Sequence, residues 1–343
     1  MFCIQENLIR WRQDYFAVMS DIESMFYQVR VSKSDVDFMR FLWWPKGDLS
    51  QTLTEYRMLV HLFGAVSSPS CSNFALKRVA SDNIGKVDQS VIDSINNDFY
   101  VDDFLKSVAS ESEAISLVKD IRTVLRSGGF NLTKWVSNSR NLMKTIPASD
   151  RVDETKNLDF DNINDNLPVQ RALGVKWSVE DDKIEFSVSS MNPKATRRNI
   201  LSVMSSVYDP FGFASPFVLR AKLIIQDLCR EKLGWDQEIP EKYERDWKNW
   251  VNDLPNLENV SIDRCLKPKC FGNIVNTQLH HFADSSQNAY AMVTYVRFES
   301  DSGEFHVSFV MGRSRVAPIK PHTIVKLELS AATSVVRINN MLN

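Results

Sequence analysis

Apolar and polar positions change period along the chain, and each change marks an element. DYFAVMSDI (14–22) is an apolar run that closes on an acid, the pattern of a buried strand. FMRFLWW and TLTEYRMLV are β-rich runs separated by PKGD, which predicts a hairpin. From residue 69 to about 83 the spacing is helical, with Ser68 as the N-cap and Pro69 at the first position. DFYVDDFLKS (98–107) is β-rich around an Asp-Asp pair. Ser110 and Glu113 form a capping box for a helix that ends at Gly128-Gly129, and the strand FNLTKWV follows.

Residues 150–166 are acidic and Asn-rich, the composition of a solvated linker or long loop. LGVKWSV and KIEFSV predict a hairpin around Glu180-Asp181-Asp182. Residues 194–254 read mostly as helices, among them KYERDWKNWVNDL. Three strand-like runs come next, QLHHFAD, AYAMVTYVRF and FHVSFVMG, and then a helix starting near Glu328. The order predicts an α+β protein of two or three domains, which 343 residues, 43% of them hydrophobic, can supply with cores.

The 41 basic and 43 acidic residues leave a net charge of -2, so nucleic-acid binding would need a local patch. No apolar run is long enough to cross a bilayer, and the N-terminus lacks the order of a signal peptide. The five scattered cysteines point to a reducing compartment.

Two places concentrate carboxylates beside predicted strand ends. Asp21 ends the first strand, and Asp102 and Asp103 sit at the bend of a hairpin. Two or three acids so placed are what two-metal phosphoryl transfer requires, whereas an isolated Asp-Asp is more simply a polar turn. The combination carries more weight. DIESMFYQVRV resembles motif A of reverse transcriptases, VHLFGAVSSPSCSNFAL motif B, FYVDDFLKS the YxDD box of motif C, GGFNLTKW motif D and LGVKWS motif E, all in the family's order over residues 14–178. Downstream, RRNILSVMSSVYDPFGFASPFVLRAKLIIQDL, GWDQEIP, HHFADSSQNAYAMVTYVRF and SRVAPIKPHTIVKLELSAA resemble BEL/Pao LTR-retrotransposon pol proteins, a group that carries the Pao retrotransposon peptidase family label.

The resemblance implies a reverse-transcriptase palm, an antiparallel sheet with helices on one face, over 1–149. An acidic linker at 150–167 would follow, then a motif E hairpin with a helical thumb or connecting region over 168–272. The first half of a ribonuclease H-like α/β domain would occupy 273–343. It implies an RNA-directed DNA polymerase in which Asp21, Asp102 and Asp103 hold two Mg²⁺ or Mn²⁺ ions. Phe26 would be the steric gate favouring deoxynucleotides, Gly64 would let the backbone approach the nucleotide, and Lys134 is a candidate proton donor to pyrophosphate. Asp284 and Glu328 match the first two of four ribonuclease H acids and are expected to face each other. The partners implied are primed RNA or DNA template, deoxynucleoside triphosphates and the rest of a Gag-Pol polyprotein, with no membrane, in a cytoplasmic retrotransposon particle.

Local charge agrees with this. No acid occurs between Ile121 and Ser149, where Arg122, Arg126, Lys134, Arg140 and Lys144 stand, and Lys194, Arg197 and Arg198 open the next helical region. Either set is a candidate for phosphate contacts, beside the plainer reading as solvated helix faces. The acid-free run from Phe305 to Leu327, with Arg313, Arg315, Lys320 and Lys326, is another candidate grip on a duplex backbone. By the family pattern, a fingers region before Asp21 and two later ribonuclease H acids are missing. The alternative is therefore a truncated, non-catalytic remnant, and the isolated chain is expected to bind primer–template weakly and extend it poorly. A peptidase reading rests on Asp301-Ser302-Gly303, whose polar flanks between two strands predict a hairpin turn instead. Cys265, Cys270, His280 and His281 lack the spacing of a zinc site.

Overall fold

A computed structural model describes residues 4–162, 164–188, 194–320 and 322–342. The chain divides into two compact units, residues 16–165 and residues 4–15 with 166–342. Helix α1 (Ile4–Trp11) thus opens the chain but packs in the second unit. This differs from the expected 1–149 palm block, and buried arginines are the cause. Arg12 donates to the carbonyls of Arg264, Phe309 and Val310, while Arg264 donates to those of Trp11, Asp14 and Tyr15. Arg264 also forks onto Asp182, and the Trp11 and Trp177 rings meet edge-on at 4.9 Å. Burial, first, and the neighbouring Arg264, second, lower the Arg12 guanidinium to about 9.

In the first unit, β1 (Phe16–Ile22) is the inner strand on which the rest is built. Next come β2 (Arg40–Trp43) and β3 (Thr54–Arg57), the predicted hairpin, whose residues are all exposed. Helices α2 (Ser68–Asp82) and α3 (Gln89–Asn97) lead to β4 (Phe99–Tyr100) and β5 (Asp103–Val108). Helix α4 (Glu111–Ser127), strand β6 (Leu132–Ser137) and helix α5 (Arg140–Thr145) complete the set. The sheet order is β4-β5-β1-β6, and β1 is antiparallel to both neighbours. Val18, Ile22, Phe104, Ile121, Leu125 and Trp135 are buried in its core. Each such side chain contributes about 1.5–3 kcal/mol by leaving water.

Local signals explain the helix ends. Ser110 caps α4 by accepting from the Glu113 N–H at 3.2 Å. Gly128 closes that helix where a Cβ would stand 2.1 Å from Val79 Cγ2, so only glycine lets α4 approach α2. At α2 the capping expectation fails: Ser67 is the N-cap, and Ser68 lies inside the helix, fully buried, with Oγ 3.4 Å from His61 Nδ1.

The acidic segment after α5 runs as a long loop, the second of the two expected forms, and is anchored along its length. Arg140 donates to the Asn162 and Asp165 carbonyls, Lys144 pairs with Asp161, and the Arg151 guanidinium lies 4.9 Å over the buried Phe160 ring. Val152 N–H donates to the Trp135 carbonyl. Four basic or aromatic anchors thus pull polar sequence onto the first unit, an effect composition cannot report.

The second unit holds a sheet of order β10-β9-β8-β7, formed by β7 (Val169–Ala172), β8 (Val175–Ser178), β9 (Lys183–Glu185) and the later β10 (Ser261–Asp263). Helices α6 (Arg197–Ser206), α7 (Ser215–Arg230) and α8 (Glu241–Asp253) bury Ile200, Val203, Ala221, Trp247 and Trp250 in a common core. The last part is an antiparallel meander, β11 (Ile274–Ser285), β12 (Ala289–Ser300) and β13 (Phe305–Val316), with α9 (Ile324–Leu342) packed on β11 and β12. Among the described residues no helix is long and apolar enough to cross a membrane.

Candidate functional sites

The first site grows from the end of β1. Strand pairing sets Asp21 opposite Asp103, and the Ile22 N–H donates to the Asp102 carbonyl at 2.9 Å. Tyr100 pairs with Asp103, which leaves Val101-Asp102 as a two-residue hairpin turn. Val101 sits at φ +57°, a conformation that costs a β-branched residue about 1–3 kcal/mol. Anchors on either side offset that strain: Phe99 and Phe104 pack with centroids 4.9 Å apart, and Phe104 meets Trp135 at 6.1 Å. The turn therefore delivers Asp102 and Asp103 beside Asp21, although 80 residues separate the two segments.

Gathering like charges in a half-buried place has an electrostatic consequence. Burial, first, and then Asp102 and Asp21 push the Asp103 carboxyl up to about 6. Burial likewise raises Asp21, against which Lys134 acts and to which Asp102 adds. The Lys134 Nζ stands 3.3 Å from Asp21 Oδ2. It reaches there because β6 carries a bulge opposite Ser20, with Lys134 at φ +53°. Lys134 is thus both exposed and ion-paired with one of the acids. Among the described residues no three carboxylate, imidazole or thiol groups stand in ready metal-binding positions, so the acids share a neighbourhood rather than a finished cage. A divalent cation fits this chemistry: it would offset the burial and the repulsion that together raise Asp103, and displace Lys134 from Asp21.

Phe26 is buried and meets the exposed Phe63 edge-on at 4.8 Å. Gly64 follows at φ +87°, with nothing within 4 Å of where a Cβ would stand, so backbone conformation rather than crowding demands glycine. Beside the acid turn, a cleft of about 220 Å³ is lined by Pro69, Asn73, Phe74 and Lys77 of α2 and by Tyr100 and Val101. Sequence reasoning passed over Asn73, Phe74 and Lys77. Their helical spacing from Pro69 was the available signal, since i, i+4, i+5 and i+8 share a face.

The second constellation is looser. Asp284 lies near the end of β11 and Glu328 in the second turn of α9. The two elements meet, because Ser285 Oγ donates to the Ile324 carbonyl at 3.3 Å. Both carboxylates are exposed, and Asp284 accepts only from the adjacent Ser285 N–H among its described hydrogen bonds. No hydrogen bond or ion pair to a common partner joins them among the described residues. Asp301-Ser302-Gly303 is the β12–β13 turn, with Gly303 at φ +81°. His281 bonds Thr294 and Asn339 rather than a cysteine.

Most of the basic residues proposed as phosphate contacts have internal work instead. Arg122 pairs with Asp150 in a mostly buried contact, and Arg126 joins the same carboxylate. Arg140 and Lys144 hold the acidic segment, as described above. Arg197 donates to the Leu233 carbonyl and lies 4.4 Å over Trp235, while Arg198 forks onto Asp236. A guanidinium whose donors are engaged has few left for a phosphate. Arg126, Lys144 and Arg198 keep exposed side chains, but each is already ion-paired.

Comparisons with known proteins bear on the whole chain. Residues 196–343 match the model of the Pao retrotransposon-like RNaseH-like domain. Among curated proteins none matches the sequence. The fold is similar to that of the foamy viral protease-reverse transcriptase in complex with RNA/DNA hybrid, at a TM-score of 0.58 and 14% identity over 99% of this chain. It is similar also to the dRH form of that protein in complex with double-stranded DNA, at a TM-score of 0.59 and 14% identity over the full chain. This chain spans 39% and 50% of the length of those two proteins.

Proposed function

We propose that this chain, whose residues 196–343 match the Pao retrotransposon-like RNaseH-like domain and whose fold is similar to that of a reverse transcriptase, is part of a Pao-type retrotransposon pol protein and supplies the polymerase acids of an RNA-directed DNA polymerase. One observation carries this reading: Asp21, Asp102 and Asp103, distant in sequence, meet at one end of the β4-β5-β1-β6 sheet. Asp21, Asp102 and Asp103 are the residues that would hold Mg²⁺ or Mn²⁺. When bound, two such ions activate a primer 3′-hydroxyl and neutralise the leaving pyrophosphate.

The remaining roles belong to the chain's own side chains. The strained Val101 turn fixes the carboxylates before any ligand arrives, which removes the entropy cost of gathering them. Phe26, held edge-on by Phe63, presents a rigid ring suited to excluding a ribose 2′-hydroxyl. Gly64 keeps the adjoining surface open. Lys134, released from Asp21, would supply positive charge beside the transferring phosphate and a proton for the departing one. Deoxynucleoside triphosphates and a primed template are the proposed ligands. For Asp284 and Glu328 the proposed role is half of a ribonuclease H site.

A second reading, a non-catalytic remnant that keeps the fold, draws on the Lys134–Asp21 ion pair and the absence of a finished cage among the described residues. Primer extension on a primed RNA template with Mg²⁺ or Mn²⁺, alongside Mn²⁺ binding by calorimetry, separates the two. Extension that Asp102→Asn abolishes supports the polymerase. A well-folded chain that neither binds Mn²⁺ nor extends primer supports the remnant.

A further inference from the structure

Three arginines converge in the second unit. Arg313 and Arg315 project from one face of β13, two residues apart, and Arg337 comes from α9. Together with Tyr290, Met292 and Ser334 they line a small depression of about 50 Å³. The sheet register explains the grouping. Met292 pairs with Arg313 and Tyr290 with Arg315, so these side chains share a face. That face is α9's own: His281, in the same alternating series of β11, bonds Thr294 of β12 and Asn339 of α9. Leu327, Ala331 and Ile338 are the buried seam of α9, and Arg337 flanks that seam on the β13 side.

The charge here is not compensated. Among the described residues no carboxylate pairs with Arg313, Arg315 or Arg337, and the one described hydrogen bond of the three is from Arg313 to the neutral Gln5 side chain. This contrasts with Arg122 and Arg198, each of which has an aspartate. Lys222 of α7 adds to the local field: burial lowers its ammonium, Asp209 opposes that, and Arg315 adds to it. Arg315 and Arg337 are exposed and Arg313 half-buried, so their donors remain open to a ligand. Convergent arginine forks around a space this small suit a tetrahedral oxyanion, and they exclude a nucleobase from the pocket by size.

We propose that Arg313, Arg315 and Arg337 form a phosphate-binding pocket that grips one backbone phosphate of a nucleic-acid duplex. The proposal rests on the nucleic-acid reading given above and adds a specific anchoring point to it. Its position follows from the strand register. Asp284 pairs with Ala291, which pairs with Ser314, and the pocket residues occupy the rows on either side. The anchor therefore lies two strands from Asp284 at the same end of the sheet, roughly 10 Å across, with the arginines on the α9 face and Asp284 on the other. Lys320 and Lys326 do not line the pocket.

The test uses the whole chain and two probes. In the first, a short RNA/DNA hybrid is titrated by fluorescence anisotropy over a series of salt concentrations. Arg337→Gln, and Arg313→Gln with Arg315→Gln, are each expected to weaken binding about three- to tenfold and to lower the log–log salt slope by about one. Arg230→Gln, in the same unit and paired with Asp227, serves as the charge-matched control and should leave the slope unchanged. In the second, inorganic phosphate is added to the wild-type chain while arginine side-chain Nε–H resonances are followed by NMR. The Arg313, Arg315 and Arg337 signals are expected to shift together. Unmoved signals, or variants that retain their thermal midpoint and wild-type slope, overturn the pocket while leaving the polymerase reading intact. Signals that shift with phosphate in a chain that binds no hybrid also overturn it, and in that case the fault lies with the nucleic-acid reading.

Discussion

The two acid sites of this chain differ in how much their surroundings commit them. In the first unit, Asp21 and Asp103 are pinned by strand register and half-buried, and their carboxyls are raised first by that burial and then by neighbouring carboxylates. In the second, Asp284 and Glu328 are exposed and share no bonding partner among the described residues, although their elements, β11 and α9, pack together. The contrast is physical before it is functional. A carboxylate cluster that stores repulsion has a reason to bind a cation, and it gives up stability to stay assembled. A pair of solvated acids stores nothing, and its geometry must come from a ligand.

The comparison breaks most visibly at the first cluster. Asp102→Asn should reduce template-dependent extension at least about a thousandfold, as expected when a charge-stabilising group is removed from phosphoryl transfer. Retained extension in a quantitative single-nucleotide assay would remove Asp102 from the site. Arg122→Ala probes the scaffold behind that cluster. Leaving Asp150 without its mostly buried partner should cost roughly 2–4 kcal/mol in urea denaturation while the salt slope of any nucleic-acid binding stays unchanged. A lowered slope at unchanged stability would restore Arg122 as a phosphate contact.

Phe26→Ala distinguishes gate from core. The ratio of ribonucleotide to deoxynucleotide incorporation should rise at least tenfold, alongside a loss of about 2–4 kcal/mol from its packing against Phe63. Stability loss with an unchanged ratio would assign the ring to the core alone.

Stored repulsion makes a prediction of its own. The folded Asp103 carboxyl lies near 6 and its ordinary value is 3.8, so the folded state holds the proton more tightly than the unfolded state. The associated stability is fully present below about pH 4 and lost as pH rises through about 6. Asp103→Asn should therefore stabilise the metal-free chain above pH 6 by about 1–2 kcal/mol, the span from 3.8 to about 6 being discounted for screening of a partly exposed group. It should have little effect at pH 4. Equal thermal shifts at both pH values would show that the acids do not repel. Asp284→Asn should be the quietest change, within about 0.5 kcal/mol at either pH. A large, pH-dependent shift there would erase the contrast between the two units.

Much of this architecture is written locally. Period-two runs, the Ser110 cap, the Gly128-Gly129 stop and the turn around Asp102-Asp103 depend on neighbours within a few residues, so sequence alone determined those elements and the order in which they come. It also pointed to Asp21 and the Asp-Asp pair, because a strand end and a hairpin bend are places where polar residues can gather. Tertiary structure alone decided three other things. It assigned α1 to the second unit, since two buried arginines find their acceptors some 250 residues away. It turned Arg122, Arg140 and Arg197, three of the candidate phosphate contacts, into internal struts, since whether a guanidinium is free depends on an aspartate or carbonyl brought to it by folding. And it set Arg337 beside Arg313 and Arg315, three charges with no described counter-charge. Charge is a property of the residue, but its availability is a property of what surrounds it, and those surroundings exist only once the chain has closed on itself.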